Sequence, residues 1–551
     1  MRLSAPFWSG RDRFPDRPMT RTVTRAGQPL PDGQDYDVTV IGAGVVGTAI
    51  ARELARHRVR TALVEASDDI GTGTSKANTA ILHTGFDAVP GSLEARLVRE
   101  GQRRLVAYAA ETGIPVERVG ALLVAWDRHQ LDALPGLLAK AERNGYHAAR
   151  LLDASRLAEL EPHLGPGALG ALEIPDESVI CPWTTPLAFA TQAVLAGVHL
   201  HLDCRVTAIE PGTGTHTLTT TRGPLRTRAL INAAGLHADE IDRLLGHDAF
   251  TVTPRRGQLI VYDKLARDLV RHILLPVPTA AGKGVLVAPT VFGNVLLGPT
   301  SEELDDKAAT ESTEDGLALL REKGRHILPR LIDEEVTAVY AGLRAATGHE
   351  DYRIKEYPEL RYVAVGGIRS TGLTASMAIA AHVTALLART GLDLGTPAGL
   401  PPVTMPNLGE AADRPYLDAG LIAGDPAYGT VVCHCERVTE GEIRDALDSV
   451  LPPCSVEGLA RRTRAGNGRC QGFYCGARLR ALTGRTRTCP AASGRSTCSS
   501  SERARPDSAR RPNSPQPGCG WRSWSASRAP AASRATATTA ASAAAGGPAA
   551  A

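Results

Sequence analysis

Aromatic residues are scarce in this chain. They make up 4% of 551 residues, so Leu, Val, Ile and Ala must build its cores. No run of 18 apolar residues occurs, and no membrane-spanning helix is expected. The opening MRLSAPFWSGRDRFPDRPMTRTV lacks the apolar centre of a secretory signal. A cytoplasmic protein is expected, at most peripheral to the inner face of the cell membrane. In that reducing compartment the ten cysteines read as thiols or metal ligands rather than disulfides. A strong charge of either sign is also missing. The formal net charge is +3, and residues 486–551 alone hold nine Arg, no Lys and two acids. The remainder is mildly acidic, so nothing points to nucleic acid.

Residues 486–551 contain no Leu, Ile, Val, Met, Phe or Tyr, but eighteen Ala. Such a segment cannot bury enough apolar surface to offset its ordering entropy. It reads as a natural disordered tail or as GC-rich DNA translated out of frame. The abrupt change at Gly484–Arg485, in mid-helix by pattern, favours the second reading. Residues 1–34, rich in Arg, Pro, Gly and Asp, read as a disordered lead. Residues 35–390 alternate strand-like and helix-like segments, 391–415 form a Pro/Gly-rich linker, and 416–485 form a second unit holding five cysteines.

YDVTVI (Tyr36–Ile41) is an apolar run suited to a buried parallel strand. GAGVVG follows, with Gly42, Gly44 and Gly47 in G-x-G-x-x-G spacing. Ala49–His57 reads as a helix, Arg60–Val64 as a second strand, and Glu65 ends that strand. Gly42 permits a tight turn, Gly44 lets backbone approach a pyrophosphate, and Gly47 lets helix and strand pack closely. The helix N-terminus offers amides to phosphate, and Glu65 can accept from ribose hydroxyls. The pattern predicts a dinucleotide site and serves FAD and NAD alike.

Other segments separate the two. GTGTSKANTAILHTGF (71–86), ALINAAGLHADEI (229–241) and VAVGGIRSTGLTASMAIAAHV (363–383) resemble motifs of the D-amino-acid-oxidase-like superfamily of FAD enzymes. Within it the chain resembles the anaerobic glycerol-3-phosphate dehydrogenase large subunits. The resemblance implies an α/β fold: a Rossmann-type FAD domain of the glutathione-reductase kind, interleaved with an antiparallel-sheet substrate domain. It implies cofactor contacts at Thr74, Ser75, Val206, Ala234, Gly235, Gly367, Gly372, Leu373 and Thr374. Ser370-Thr371-Gly372 departs from the Ser-Pro-Gly common in relatives, and Arg369 is unusual beside it.

Cys433 and Cys435 have one residue between them, and Cys470 and Cys475 have four. Four thiolates suit a [2Fe–2S] cluster or a structural zinc. Zinc sites more often show C-x2-C pairs. With the helix-starting TEGEIRDAL after the first pair, the arrangement resembles the bacterioferritin-associated-ferredoxin-like (BFD-like) [2Fe–2S] domain, small and mostly helical. Thr439 and Glu442 form a capping-box pattern. Arg461, Arg462, Arg464 and Arg469 are expected to offset the anionic cluster, and Cys454 reads as a spare thiol.

An anionic alcohol needs a cation and a base. By resemblance, Arg344 (in YAGLRAATG) binds the anion, with Arg369 a second candidate. His83 serves as base or flavin contact, or else is a structural histidine. The expected reaction is oxidation of glycerol 3-phosphate to dihydroxyacetone phosphate, with electrons passing through the cluster to a partner redox subunit or a quinone. Alternatives are an L-2-hydroxy acid dehydrogenase, a subunit of a heteromeric amine or imino-acid dehydrogenase, and a non-enzymatic electron-transfer subunit.

Overall fold

Val38 and Val40 are fully buried, as the apolar run requires of a strand covered on both faces. The computed structural model describes residues 22–31, 35–278, 284–410 and 414–484. Strand Asp35–Ile41 sits inside a nine-stranded sheet, paired in parallel with Thr61–Val64 on one side and Gly223–Asn232 on the other. His199–His201 extends the sheet beyond Thr61–Val64, and Tyr362–Gly366 adds a further parallel strand against Gly223–Asn232. Helices Val45–Leu54, Leu93–Thr112, Thr184–Leu195 and Gly372–Arg389 pack on one another beside this sheet.

A second nine-stranded sheet is drawn from 121–174 and 253–346. Its pairs are antiparallel except Ile273–Pro276 with Ala121–Ala125. The two sheets take turns along the chain, so the cofactor and substrate parts are interleaved as expected.

Several expectations need correction. The first helix starts at Val45, four residues early, because the glycine motif itself supplies the first turn. It stops at Leu54 rather than His57. Part of the supposed lead is ordered: Val23–Thr24 pairs with His199–His201 at the sheet edge. Arg25 there is buried, donating to the carbonyls of Asp68 and Pro452 at 2.7 and 2.6 Å. Residues 1–21 and 32–34 lie outside the described residues. The supposed linker is a strap. Leu392, Leu394, Val403, Met405 and Leu408 are buried in the main core. Its amides at Ala398 and Met405 bond the carbonyls of Arg56 and Thr112. The 486–551 segment also lies outside the described residues.

Among the described residues one helix, Gly372–Arg389, is long and apolar enough to cross a membrane, and 61% of it is buried within the fold. The cysteine unit holds helices Glu440–Leu447, Val456–Thr463 and Gly476–Thr483. Its capping box forms: the Thr439 amide donates to Glu442 Oε2 at 2.8 Å, and the Glu442 amide to Thr439 Oγ1 at 3.2 Å.

Candidate active site

Gly42 has φ +99°, and a Cβ there would lie 2.6 Å from the carbonyl oxygen of Ala233. A Cβ on Gly47 would lie 1.8 Å from the carbonyl oxygen of Gly42. Neither position accepts a side chain, so the turn and the helix start close on each other. Glu65 Oε2 accepts from the Ala43 amide at 2.7 Å, and its Oε1 from the Ser67 amide at 2.9 Å. Ser75 Oγ accepts from the Val45 amide at 2.9 Å, and Thr74 Oγ1 donates to the Leu343 carbonyl at 2.7 Å. A cavity of about 1130 Å³ opens here. Gly42, Gly44, Glu65, Thr74, Ser75, Ala234 and Gly235 line it.

The remaining expected contacts lie off that wall. Val206 is buried in its strand, though its neighbour Arg205 faces the cavity. Gly367 makes a turn at φ +66°, and Gly372, Leu373 and Thr374 begin the apolar helix. Thr374 Oγ1 accepts from the His83 amide at 3.0 Å, tying this helix start to the 81–85 segment. The His83 Nδ1 lies 3.3 Å from Glu177 Oε2. Glu177 is fully buried and accepts from the amide and hydroxyl of Thr84 at 2.7 and 3.0 Å. Sequence reasoning missed Glu177, which no local motif marks.

Arg344 donates to the Thr300 carbonyl at 2.7 Å and, among the described residues, has no carboxylate within 4.0 Å. Burial, helped by neighbouring Arg255, lowers its pKa to about 10. It stands one residue beyond Gly342 and Leu343, which are on the cavity wall. Arg369 is differently occupied. It donates to Glu94 Oε2 at 2.9 Å and to the Glu350 carbonyl. The expected second anion ligand is thus already paired.

The second module forms part of the same cavity wall through Arg464, Ala465, Gly466, Asn467 and Gln471. Trp183 and Phe292 of the flavin part stack there at 5.0 Å, and the Arg464 guanidinium lies 4.2 Å from the Phe292 ring. Nothing in the sequence marks these two rings. The arginines expected to face the cluster instead fasten the module. Arg462 clasps both oxygens of Asp69 at 2.7 and 2.8 Å, and Arg461 adds a contact at 2.7 Å. Burial would raise the Asp69 pKa, but Arg462 and Arg461 outweigh it and hold the carboxyl well below its usual range. Arg469 pairs with Asp263 at 2.6 Å, and Arg464 reaches Glu436 and Asn294.

The four cysteines lie near one another: Cys475 feels Cys433 and Cys470, and Cys435 feels Cys470 and Cys433. Among the described residues no three ligand-type side chains converge on one point. The amides of Tyr474, Gly472 and Phe473 lower the Cys470 pKa, whereas burial and Cys433 push the Cys475 thiol up to about 12. A Cβ on Gly468 would lie 2.4 Å from that of Cys435, so the loop is shaped around this ligand. His434 is exposed. Cys454 is half-buried.

Residues 37–386 match the FAD dependent oxidoreductase family. The chain belongs to that family. Residues 431–484 of this oxidoreductase match the BFD-like [2Fe-2S] binding domain. The glycerol 3-phosphate dehydrogenase of Caloramator mitchellensis is 35% identical over 81% of this chain and 93% of its own length. The glycerol 3-phosphate oxidase of Mycoplasma pneumoniae is 31% identical over 64% of this chain and 94% of its own. The dithionite-reduced, FAD-bound structure of the L-α-glycerophosphate oxidase from that organism superposes with a TM-score of 0.62. It covers 64% of this chain and 95% of its own at 31% identity. The cofactors of this oxidoreductase are FAD and a [2Fe–2S] cluster. The glycine turn, Glu65 and the cavity fit the first, and the four neighbouring thiols of Cys433, Cys435, Cys470 and Cys475 fit the second.

Proposed function

We propose that this oxidoreductase converts glycerol 3-phosphate to dihydroxyacetone phosphate and delivers the electrons through its cysteine module to a further acceptor. The carrying observation is Arg344, a half-buried guanidinium with one carbonyl partner and, among the described residues, no carboxylate within 4.0 Å. A cation partly withdrawn from water without a counter-ion favours an incoming anion. A phosphate dianion would supply the missing charge in the planar, two-pronged geometry that arginine favours. The named activities of the relatives point the same way.

The cofactor contacts are assigned as the sequence resemblance implies. The turn at Gly42, Gly44 and Gly47 and the hydroxyls of Thr74 and Ser75 hold the pyrophosphate, and Glu65 holds the ribose. Val206, Ala234, Gly235 and Gly367 provide backbone beside the cofactor. Residues Gly372, Leu373 and Thr374 present a helix N-terminus that stabilises negative charge. Bound FAD supplies the hydride acceptor. His83 takes the hydroxyl proton, with Glu177 orienting its ring and stabilising the imidazolium. Arg369 holds Glu94 and so shapes the turn without touching substrate.

Anaerobic stopped-flow mixing tests this reading. Glycerol 3-phosphate should bleach the flavin faster than L-2-hydroxyglutarate or a secondary amine does. A faster response to either competitor overturns the assignment.

A further inference from the structure

Arg464 holds a backbone conformation that favours glycine. Its φ is +71°, and it caps the C-terminus of helix Val456–Thr463. Glycine ordinarily makes the left-handed turn at such a helix end. The residue is only 5% exposed. An arginine kept buried in that conformation is held by what it touches. Its Nε donates to Glu436 Oε2 at 3.0 Å, and its Nη2 to Asn294 Oδ1 at 3.2 Å. Its guanidinium lies 4.2 Å from the Phe292 ring and 5.7 Å from the Trp183 ring.

The contacts run on at both ends. Two residues along, the Gly466 amide donates to Cys433 Sγ at 3.4 Å, and Glu436 directly follows Cys435. In the other direction, Trp183 Nε1 donates at 3.2 Å to the carbonyl of Lys76, the residue after Ser75. Trp183, Phe292 and Arg464 all line the cavity shared with the glycine turn. A chain with only 4% aromatics thus places two stacked rings between the cofactor cavity and a cluster ligand. The clasp at Asp69 and the Arg469–Asp263 pair already hold the two parts together. Attachment alone gives no reason to set two rings against an arginine in a glycine conformation.

We propose that Trp183, Phe292 and Arg464 form the path by which electrons pass from the flavin to the cysteine module. Tunnelling weakens far more steeply across an open gap than through packed or bonded atoms, so an unbroken line of contacts sets the route. Arg464 is a positioning residue in that line. It keeps the rings and the Cys433 loop in register. Each substrate oxidised leaves two electrons on the flavin, and the cluster takes one at a time. Two passages empty the flavin, a one-electron oxidant such as ferricyanide clears the cluster after each, and two protons leave to water.

The inference rests on the cluster being the flavin's outlet, as proposed above. The test uses anaerobic holoenzyme without substrate. A laser flash in the presence of triethanolamine as electron donor reduces the flavin, and absorbance then times electron arrival at the cluster. Phe292→Leu and Trp183→Leu keep apolar bulk and remove a ring. Each should slow arrival about tenfold by opening a gap in the path. Phe292→Tyr should keep the native rate. In these ring variants the iron, sulfide and FAD contents, the cluster's electron paramagnetic resonance signal and its midpoint potential should match the unmodified protein. Where a ring variant loses iron, Arg464→Gly carries the test. It suits the left-handed turn and leaves Glu436 paired with Lys264 at 3.1 Å. It should slow arrival to a similar extent.

Native speed in either intact ring variant overturns the proposal, as does a Phe292→Tyr variant as slow as Phe292→Leu. Where Arg464→Gly carries the test, native speed in that variant overturns it too. If the flash reduces the flavin of the unmodified protein and the cluster never follows, the outlet reading itself fails and the path with it.

Discussion

Arg344 and His201 show two opposite uses of burial. Arg344 stays charged despite its depressed pKa, so its environment favours an incoming anion. Arg344→Ala should raise the KM for glycerol 3-phosphate about 10- to 100-fold and change kcat much less. An unchanged KM would remove it from the site. His201 is held neutral by burial, its pKa lowered to about 3. It bonds Thr24 Oγ1 at 2.8 Å and the Tyr36 hydroxyl at 3.0 Å. The unfolded chain binds this proton below about 6.5 and the folded chain does not. Stability should therefore fall as pH drops from about 6.5 toward 3. Urea midpoints measured across that range should show the decline, and His201→Asn should flatten it. An equally steep slope in the variant would clear His201 of the effect.

At the scale of elements, the loop after Thr61–Val64 meets helix Val456–Thr463 through one carboxylate. Asp69 is 2% exposed and clasped by two arginines. Asp69→Asn leaves those guanidiniums uncompensated and should cost about 3–5 kcal/mol of the module's docking. Reduction of the cluster should slow while substrate still bleaches the flavin. Simultaneous, unslowed reduction of both centres would show that the clasp is dispensable. The Gly468 contact makes a second forecast. Gly468→Ala should lose iron and labile sulfide but retain FAD; iron near two per chain would contradict it. The strap of residues 391–410 belongs here too. Its Pro and Gly content read as a linker, because composition cannot reveal that Leu392, Leu394 and Met405 face a core built by distant helices.

At the scale of the molecule, legibility followed distance along the chain. The turn at Gly42, the capping box at Thr439 and the paired cysteines are local patterns, and each is found where its spacing placed it. The alternation of two sheets was available only through resemblance, since pairings such as Ile231 with Val363 join remote segments. The Asp69–Arg462 contact, 393 positions apart, leaves no local trace. For the same reason, arginines assigned to the cluster turned out to bind the neighbouring domain. Glu177 and the Trp183–Phe292 stack escaped notice because a lone acid and two separated rings carry no periodicity.

The shared cavity wall has an implication for biogenesis. Residues 464–467 and Gln471 line the same cavity as the glycine turn at Gly42. During synthesis the cavity-lining residues between 42 and 343 emerge before those between 456 and 480. A nascent chain thus reaches the turn at Gly42 well before the cysteine unit that completes the cavity wall.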